Sequence, residues 1–190
     1  YRSAPDQGRA AYQRLFDLCA GVMQQIAALP QPVIAQVQGV ATAAGCQLAC
    51  TSDLITASET ARFGVNGINL GLFCSTPAVA LSRRLAPGLA FELLTTGDFL
   101  PAERALALGV VNRLAPPDAL EAATLALAQS IAAKDPAAVS LGKLGFRAQL
   151  GQPLAQAYRV AGAVMVDNVL LPSADTGIQA FIDRKPGKPA

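Results

Sequence analysis

The segment from Val33 to Thr51 limits the fold more than any other part of the chain. Val33 to Val37 is a short apolar run that predicts a buried strand, closed by Gly39. Val40-Ala41-Thr42-Ala43-Ala44-Gly45 then forms a turn almost free of side chains, and Cys46 to Thr51 predicts a helix that begins near Gly45. The first N–H groups of a helix have no internal partner and sit at the positive end of its dipole. Side chains as small as these let a ligand oxygen approach those groups, which suits a carbonyl that becomes an oxyanion. Close packing of helix on strand through small residues is the other use of the same pattern. Spacing alone does not separate the two.

The remainder of the chain alternates strand and helix and then turns wholly helical. Ala11, Leu15, Leu18, Val22, Ile26 and Leu29 recur at three and four residues, predicting a helix from Gln7 to Leu29 with one buried stripe, ended by Pro30 and Pro32. Asp53–Ala57, Ala61–Gly64 and Val110–Leu114 predict short strands, and Val65 to Cys74 a long loop. Ser75-Thr76-Pro77 predicts a helix start with a hydroxyl cap. Leu89–Thr96 is a further helix stopped by Gly97, and Pro101 opens another that Gly109 closes. Helices follow from Pro117 to Lys134, from Asp135-Pro136 to Gly151, from Leu154 to Leu170, and up to Ile182 with Asp175 as its cap. Alanine makes up about a fifth of the residues and aromatics 5%, which suits many close-packed helices.

Composition excludes several functions. The chain has 190 residues, 52% apolar and 15% charged, enough for one real core or a core with a helical appendage, and not a disordered chain. It has no histidine, which excludes Ser-His-Asp and Cys-His catalysis and imidazole-bound zinc. The GxSxG, GxxxxGK[ST] and GxGxxG patterns are absent too. A net charge of +2 with no run of like charge predicts no nucleic-acid partner and no membrane partner, and no apolar stretch reads as a span. Cys19, Cys46, Cys50 and Cys74 form no CxxC and read as buried, reduced thiols.

The run PVIAQVQGVATAAGCQLACTSDLITASETARFG resembles the signature region of the enoyl-CoA hydratase/isomerase (crotonase) superfamily. So do LTTGDFLPAERALALGVVNRL and GIQAFIDRKP, in the family's order and spacing. ATAAGCQL and GLFCSTPAVAL look most like the mitochondrial-type enoyl-CoA-hydratase-domain-containing proteins and their bacterial relatives. The resemblance implies an α/β, crotonase-like (ClpP/crotonase) spiral of ββα units with a C-terminal helical trimerisation region. It implies a division into residues 1–114, the later part of the spiral core, and 115–190, the helical region. The start at Tyr1 leads us to expect that the first strands lie outside this chain. It also implies a homotrimer or a dimer of trimers. The ligand would be a coenzyme A thioester, as substrate and not as a bound cofactor, and the setting bacterial cytoplasm or mitochondrial matrix.

In the family, two backbone N–H groups hold the thioester oxygen. The second falls on Ala44, flanked by Ala43 and Gly45, and the first is expected upstream of Gln7. The family's hydratases use two glutamates, which here fall on Gln47 and Gly67. Glutamine can orient water but is no general base, and glycine can do neither. Efficient hydration is therefore not expected. The functions that remain are an acyl-CoA enzyme acting through a stabilised enolate, or an acyl-CoA-binding protein that has lost its chemistry. Asn66, Asn69, Cys74, Ser75 and Thr76 border the acyl pocket in relatives, with Cys74 read as pocket lining or, without a base beside it, as a nucleophile. Phe181 and Arg184 match residues that reach the nucleotide part of coenzyme A, or else they end an ordinary amphipathic helix. Asp53, Glu92 and Asp98 read as structural.

Overall fold

A computed structural model of the chain describes residues 4–183. The chain divides into two compact units. One comprises the stretch up to Leu29 together with Val33–Ala128, and the other Pro30–Pro32 with the stretch from Gln129 onward.

The first unit opens with α1 (Arg9–Ala28), followed by β1 (Ile34–Val37), β2 (Val40–Thr42), α2 (Ala44–Thr51), β3 (Leu54–Ser58) and β4 (Arg62–Gly64). A 3-10 turn at Asn66–Leu70 leads to α3 (Ser75–Leu81), α4 (Pro87–Thr96), β5 (Phe99–Pro101), α5 (Ala102–Ala107), β6 (Arg113–Ala115) and α6 (Leu120–Ala132). Two three-stranded sheets result. One is parallel, ordered β1-β3-β6, and the other runs β2-β4-β5, with β2 parallel and β5 antiparallel to β4.

β3 is the central strand of its sheet, which explains its composition. Its Ile55 and Ala57 are fully buried, and the buried Thr56 satisfies its hydroxyl on Thr124 Oγ1 at 2.6 Å. Side chains finish what the ladders leave open: Val33 N donates to Asp53 Oδ2 at 2.7 Å, and Ile55 N donates to Asn112 Oδ1 at 2.8 Å. The core of the unit gathers around Ile55, Phe63, Val65, Leu81, Val110 and Val111.

Several expectations are corrected. Val40–Thr42 is not turn but strand, because pairing with Arg62–Gly64 satisfies the backbone of a run too small to bury much surface. Phe99–Pro101 is a strand that the proline concealed, and Pro101 sits at its end, where a missing N–H does least harm. The strand expected at Val110–Leu114 lies at Arg113–Ala115, with Val110 and Val111 buried ahead of it. Ser75 caps nothing: its hydroxyl donates to Phe73 O at 3.4 Å, and Cys74 holds the cap position of α3. The expected stripe of α1 is not buried, and Leu15, Leu18 and Val22 are exposed. Periodicity reports an apolar face; burial needs a surface to cover it.

The second unit holds α7 (Pro136–Gln149), α8 (Leu154–Val169) and α9 (Pro172–Ile182). Asp135 caps α7 by accepting from Ala138 N at 2.8 Å. Gly145 lets α8 come close: a Cβ there would stand 2.8 Å from both Val164 methyls. The buried Lys143 ammonium donates to Gln31 O at 2.8 Å. α9 starts at Pro172 with Leu171 at its cap, so Asp175 lies within the first turn instead of capping it.

Candidate functional site

β2 ends at Thr42, level with Gly64 of β4, and Ala43 N donates to Gly64 O at 3.0 Å. The chain reverses into α2 within one residue. Ala43 adopts φ 47 and ψ −117, a conformation that suits glycine and that a side chain makes costly by about 1–3 kcal/mol. Helix α2 then starts at Ala44, with Gln47 N donating to Ala43 O at 3.0 Å. Among the described residues the Ala44 N–H has no backbone acceptor, and Ala44 and Gly45 are exposed. A Cβ on Gly45 would meet nothing within 4 Å. The small residues thus leave an open approach to the head of α2.

One turn further on, Gln47 is 6% exposed, and its side-chain amide has no hydrogen-bond partner among the described residues. Among the described residues no fully shielded side-chain polar atom lacks a partner, so the Gln47 amide is still reached by solvent at its tip. Next to the turn, Thr42 Oγ1 donates to Asn66 Oδ1 at 2.6 Å, joining the end of β2 to the start of the 3-10 turn. That turn folds back on itself, with Leu72 N donating to Gly67 O at 3.0 Å. A Cβ on Gly67 would lie 2.7 Å from Cys74 Sγ and 2.7 Å from Leu72 O. The space beside Gly67 is therefore filled by a thiol and a carbonyl.

The structure thus brings Ala43, Ala44, Gly45 and Gln47 together on one turn, ties Asn66 to it through Thr42, and sets Cys74 against Gly67. Asn69 is exposed and lies against Gly97, where an added Cβ would stand 2.9 Å from its amide. Ser75 is exposed and Thr76 half-buried in the first turn of α3. A shallow groove of about 300 Å³ between α3 and α4, lined by Ser75, Val79, Arg83 and Phe91 among others, includes none of Ala44, Gln47 and Gly67. Phe181 is exposed on α9 in the second unit, and Arg184 lies outside the described residues. Asp53 is structural through its bond from Val33 N, while Glu92 and Asp98 are exposed.

Of the four thiols expected to be buried, Cys19 on α1 and Cys74 are only half-buried, and the other two support α2. Cys46 and Cys50 are buried one turn apart on α2. Cys46 donates to the Cys50 sulfur, and that bond together with burial pushes its thiol up. The same bond and the nearby Arg84 guanidinium bring Cys50 down. Arg84 also donates to Cys50 O at 2.8 Å and to Ser52 O, closing the C-terminal end of α2. Sequence reasoning missed the roles of Thr42 and Arg84. No spacing rule points to either, since both act across 24 residues or more. Among the described residues no three of Asp, Glu and Cys are placed to hold a metal ion, and no helix is long and apolar enough to cross a membrane.

This is a crotonase fold, and the enoyl-CoA hydratase/isomerase family model matches residues 7–188. The chain belongs to that family. Enoyl-CoA hydratase domain-containing protein 3, mitochondrial, of Mus musculus is 44% identical over 94% of this chain and 60% of its own length. An enoyl-CoA hydratase crystal structure from Mycobacterium smegmatis superposes with a TM-score of 0.90 at 46% identity, covering 98% of this chain and 72% of that one. The human enoyl-CoA hydratase domain-containing protein 3 gives 0.89 at 42% identity, covering 98% and 74%. The chain spans about three fifths of the length of the mouse protein.

Proposed function

We propose that the protein binds a coenzyme A thioester and polarises its carbonyl at the Ala44 N–H, favouring an enolate. The observation that carries this reading is the head of α2: an N–H with no backbone acceptor, exposed, behind a residue held in a strained conformation. Strain of this kind collects at ligand sites because the surrounding fold must hold it. Neither Gln47 nor Gly67 can take a proton from water, and loss of one general base typically lowers a rate by about 10²–10⁴. Efficient hydration of a 2-enoyl thioester is therefore excluded from the proposal. The filled space at Gly67 favours a second reading, a binding protein without turnover.

Phe181 and Arg184 are assigned to the nucleotide end of the ligand. The exposed apolar residues Leu154, Tyr158, Met165 and Leu170 of the C-terminal helices are assigned to contacts between subunits of a trimer or hexamer. The setting is the mitochondrial matrix or the bacterial cytoplasm, where acyl thioesters of fatty-acid metabolism occur.

Thermal shift with crotonyl-CoA and with free coenzyme A tests the reading. A raised melting temperature that is lost in Ala44→Pro, which removes the N–H, is expected. Absence of any shift would overturn it. Turnover of crotonyl-CoA on the order of hundreds per second, within the usual enzyme range, would overturn the exclusion of hydration.

A further inference from the structure

Ala43 keeps an unfavourable backbone conformation, φ 47 and ψ −117, so its surroundings must hold it there. The Ala43 carbonyl and the Ala44 N–H belong to one planar trans peptide and point opposite ways. The carbonyl is turned down the helix, where it accepts from Gln47 N at 3.0 Å. The aim of the N–H therefore depends on how the strand side of Ala43 is fixed.

That side has little backbone support. β2 is an edge strand of three residues, and its last rung pairs Thr42 with Gly64. Beyond the rung, Ala43 N donates to Gly64 O at 3.0 Å. Thr42 adds a hold of a different kind, because its Oγ1 donates to Asn66 Oδ1 at 2.6 Å, past the end of the ladder. Asn66 is a firm post for it. It follows Val65, which is fully buried, and opens the 3-10 turn that Leu72 N closes on Gly67 O. Gly64 is fixed as well, since a Cβ there would stand 2.7 Å from a ring carbon of Phe99. Threonine suits this task, because branching at Cβ restricts its rotamer and so presets the hydroxyl.

Resting on the proposed thioester site, we infer that Thr42 is a positioning residue. Its bond to Asn66 holds Ala43 at positive φ and so aims the Ala44 N–H at the thioester oxygen. Without the bond Ala43 relaxes towards negative φ, the peptide that carries the N–H turns, and the carbonyl is polarised less. Thr42 acts through the backbone and touches no reacting atom. Asn66 is half-buried, so water can reach its oxygen when the hydroxyl is removed, and the fold survives the change.

Difference infrared spectroscopy of butyryl-CoA labelled with carbon-13 at the thioester carbonyl tests this, because a hydrogen bond to the oxygen lowers the stretching frequency. The unaltered protein should show a downward shift on binding. Thr42→Val keeps the shape and the branching, removes the donor, and should lose most of that shift. Its affinity should fall by about three- to tenfold, as for loss of one neutral hydrogen bond. Thr42→Ser restores the donor and should restore the shift. A residue that only filled space would give the reverse order, with valine harmless and serine harmful. Asn66→Ala should reproduce the loss from the other end of the bond, and the double variant should be no worse than either single one. Where one of these variants fails to fold, the other reads the same bond. A shift that survives in folded Thr42→Val or Asn66→Ala, or a loss that Thr42→Ser shares, overturns the inference alone. No binding, or binding without a shift in the unaltered protein, overturns the proposed function along with it.

Discussion

Ala43 pays a conformational penalty that a glycine would avoid, at φ 47 and ψ −117. Ala43→Gly removes a strain of about 1–3 kcal/mol and adds up to about 1 kcal/mol of unfolded-chain entropy. The variant should therefore be about 1 kcal/mol more stable in urea denaturation; a loss of stability would show that the backbone is not strained there. Gly67 is the opposite case, because no side chain fits. With Cys74 Sγ and Leu72 O both 2.7 Å from the added carbon, Gly67→Ala should cost about 1–3 kcal/mol. Cys74→Ala should relieve only part of that, since a backbone carbonyl remains. Full recovery in the double variant would mean that the thiol alone fills the space. For the same reason Gly67→Glu is expected to damage the loop and not to create a base.

At the scale of elements, acidic side chains mark the starts of α7 and α1. Asp135 accepts from Ala138 N at 2.8 Å, so Asp135→Ala should lower stability by about 1 kcal/mol in thermal or chemical unfolding, while Asp135→Asn should cost little. Asp6 binds ahead of α1, accepting from Ala10 N and Gly8 N, and these bonds hold its carboxyl below the ordinary 3.8. The folded form thus gains from the ionised carboxylate above pH 3.8 and loses that gain as pH falls through the lower folded value. The Ala10 amide shift in an NMR titration should move with a midpoint below 3.8; a midpoint at or above it would deny the bond.

Elements with a clear period or stop were legible from the chain itself. α1, α4 and α8 follow from apolar spacing bounded by proline or glycine, and β3 from an apolar run. β2 and β5 were not, because their three residues owe their strand form to β4 and not to their own preferences. The candidate site divides in the same way. The Ala43–Gly45 turn and Gln47 could be found from local pattern and family resemblance. The Thr42–Asn66 bond and the contact of Cys74 with the Gly67 position depend on where separate loops meet, which no local pattern records.

At the scale of the whole molecule, the parallel sheet governs how the chain reaches its native state. β3 accepts β1 on one edge and β6 on the other, and the side chain of Asn112 meets the backbone of Ile55 across 57 residues. The ends of that long excursion must find one another before the central strand gains its second neighbour, and loop closure is unfavourable until they do. Helices can therefore form well ahead of the sheet. During that interval the apolar edge of β3 stands open to other chains, so crowded refolding should lose material to aggregation while dilute refolding recovers it.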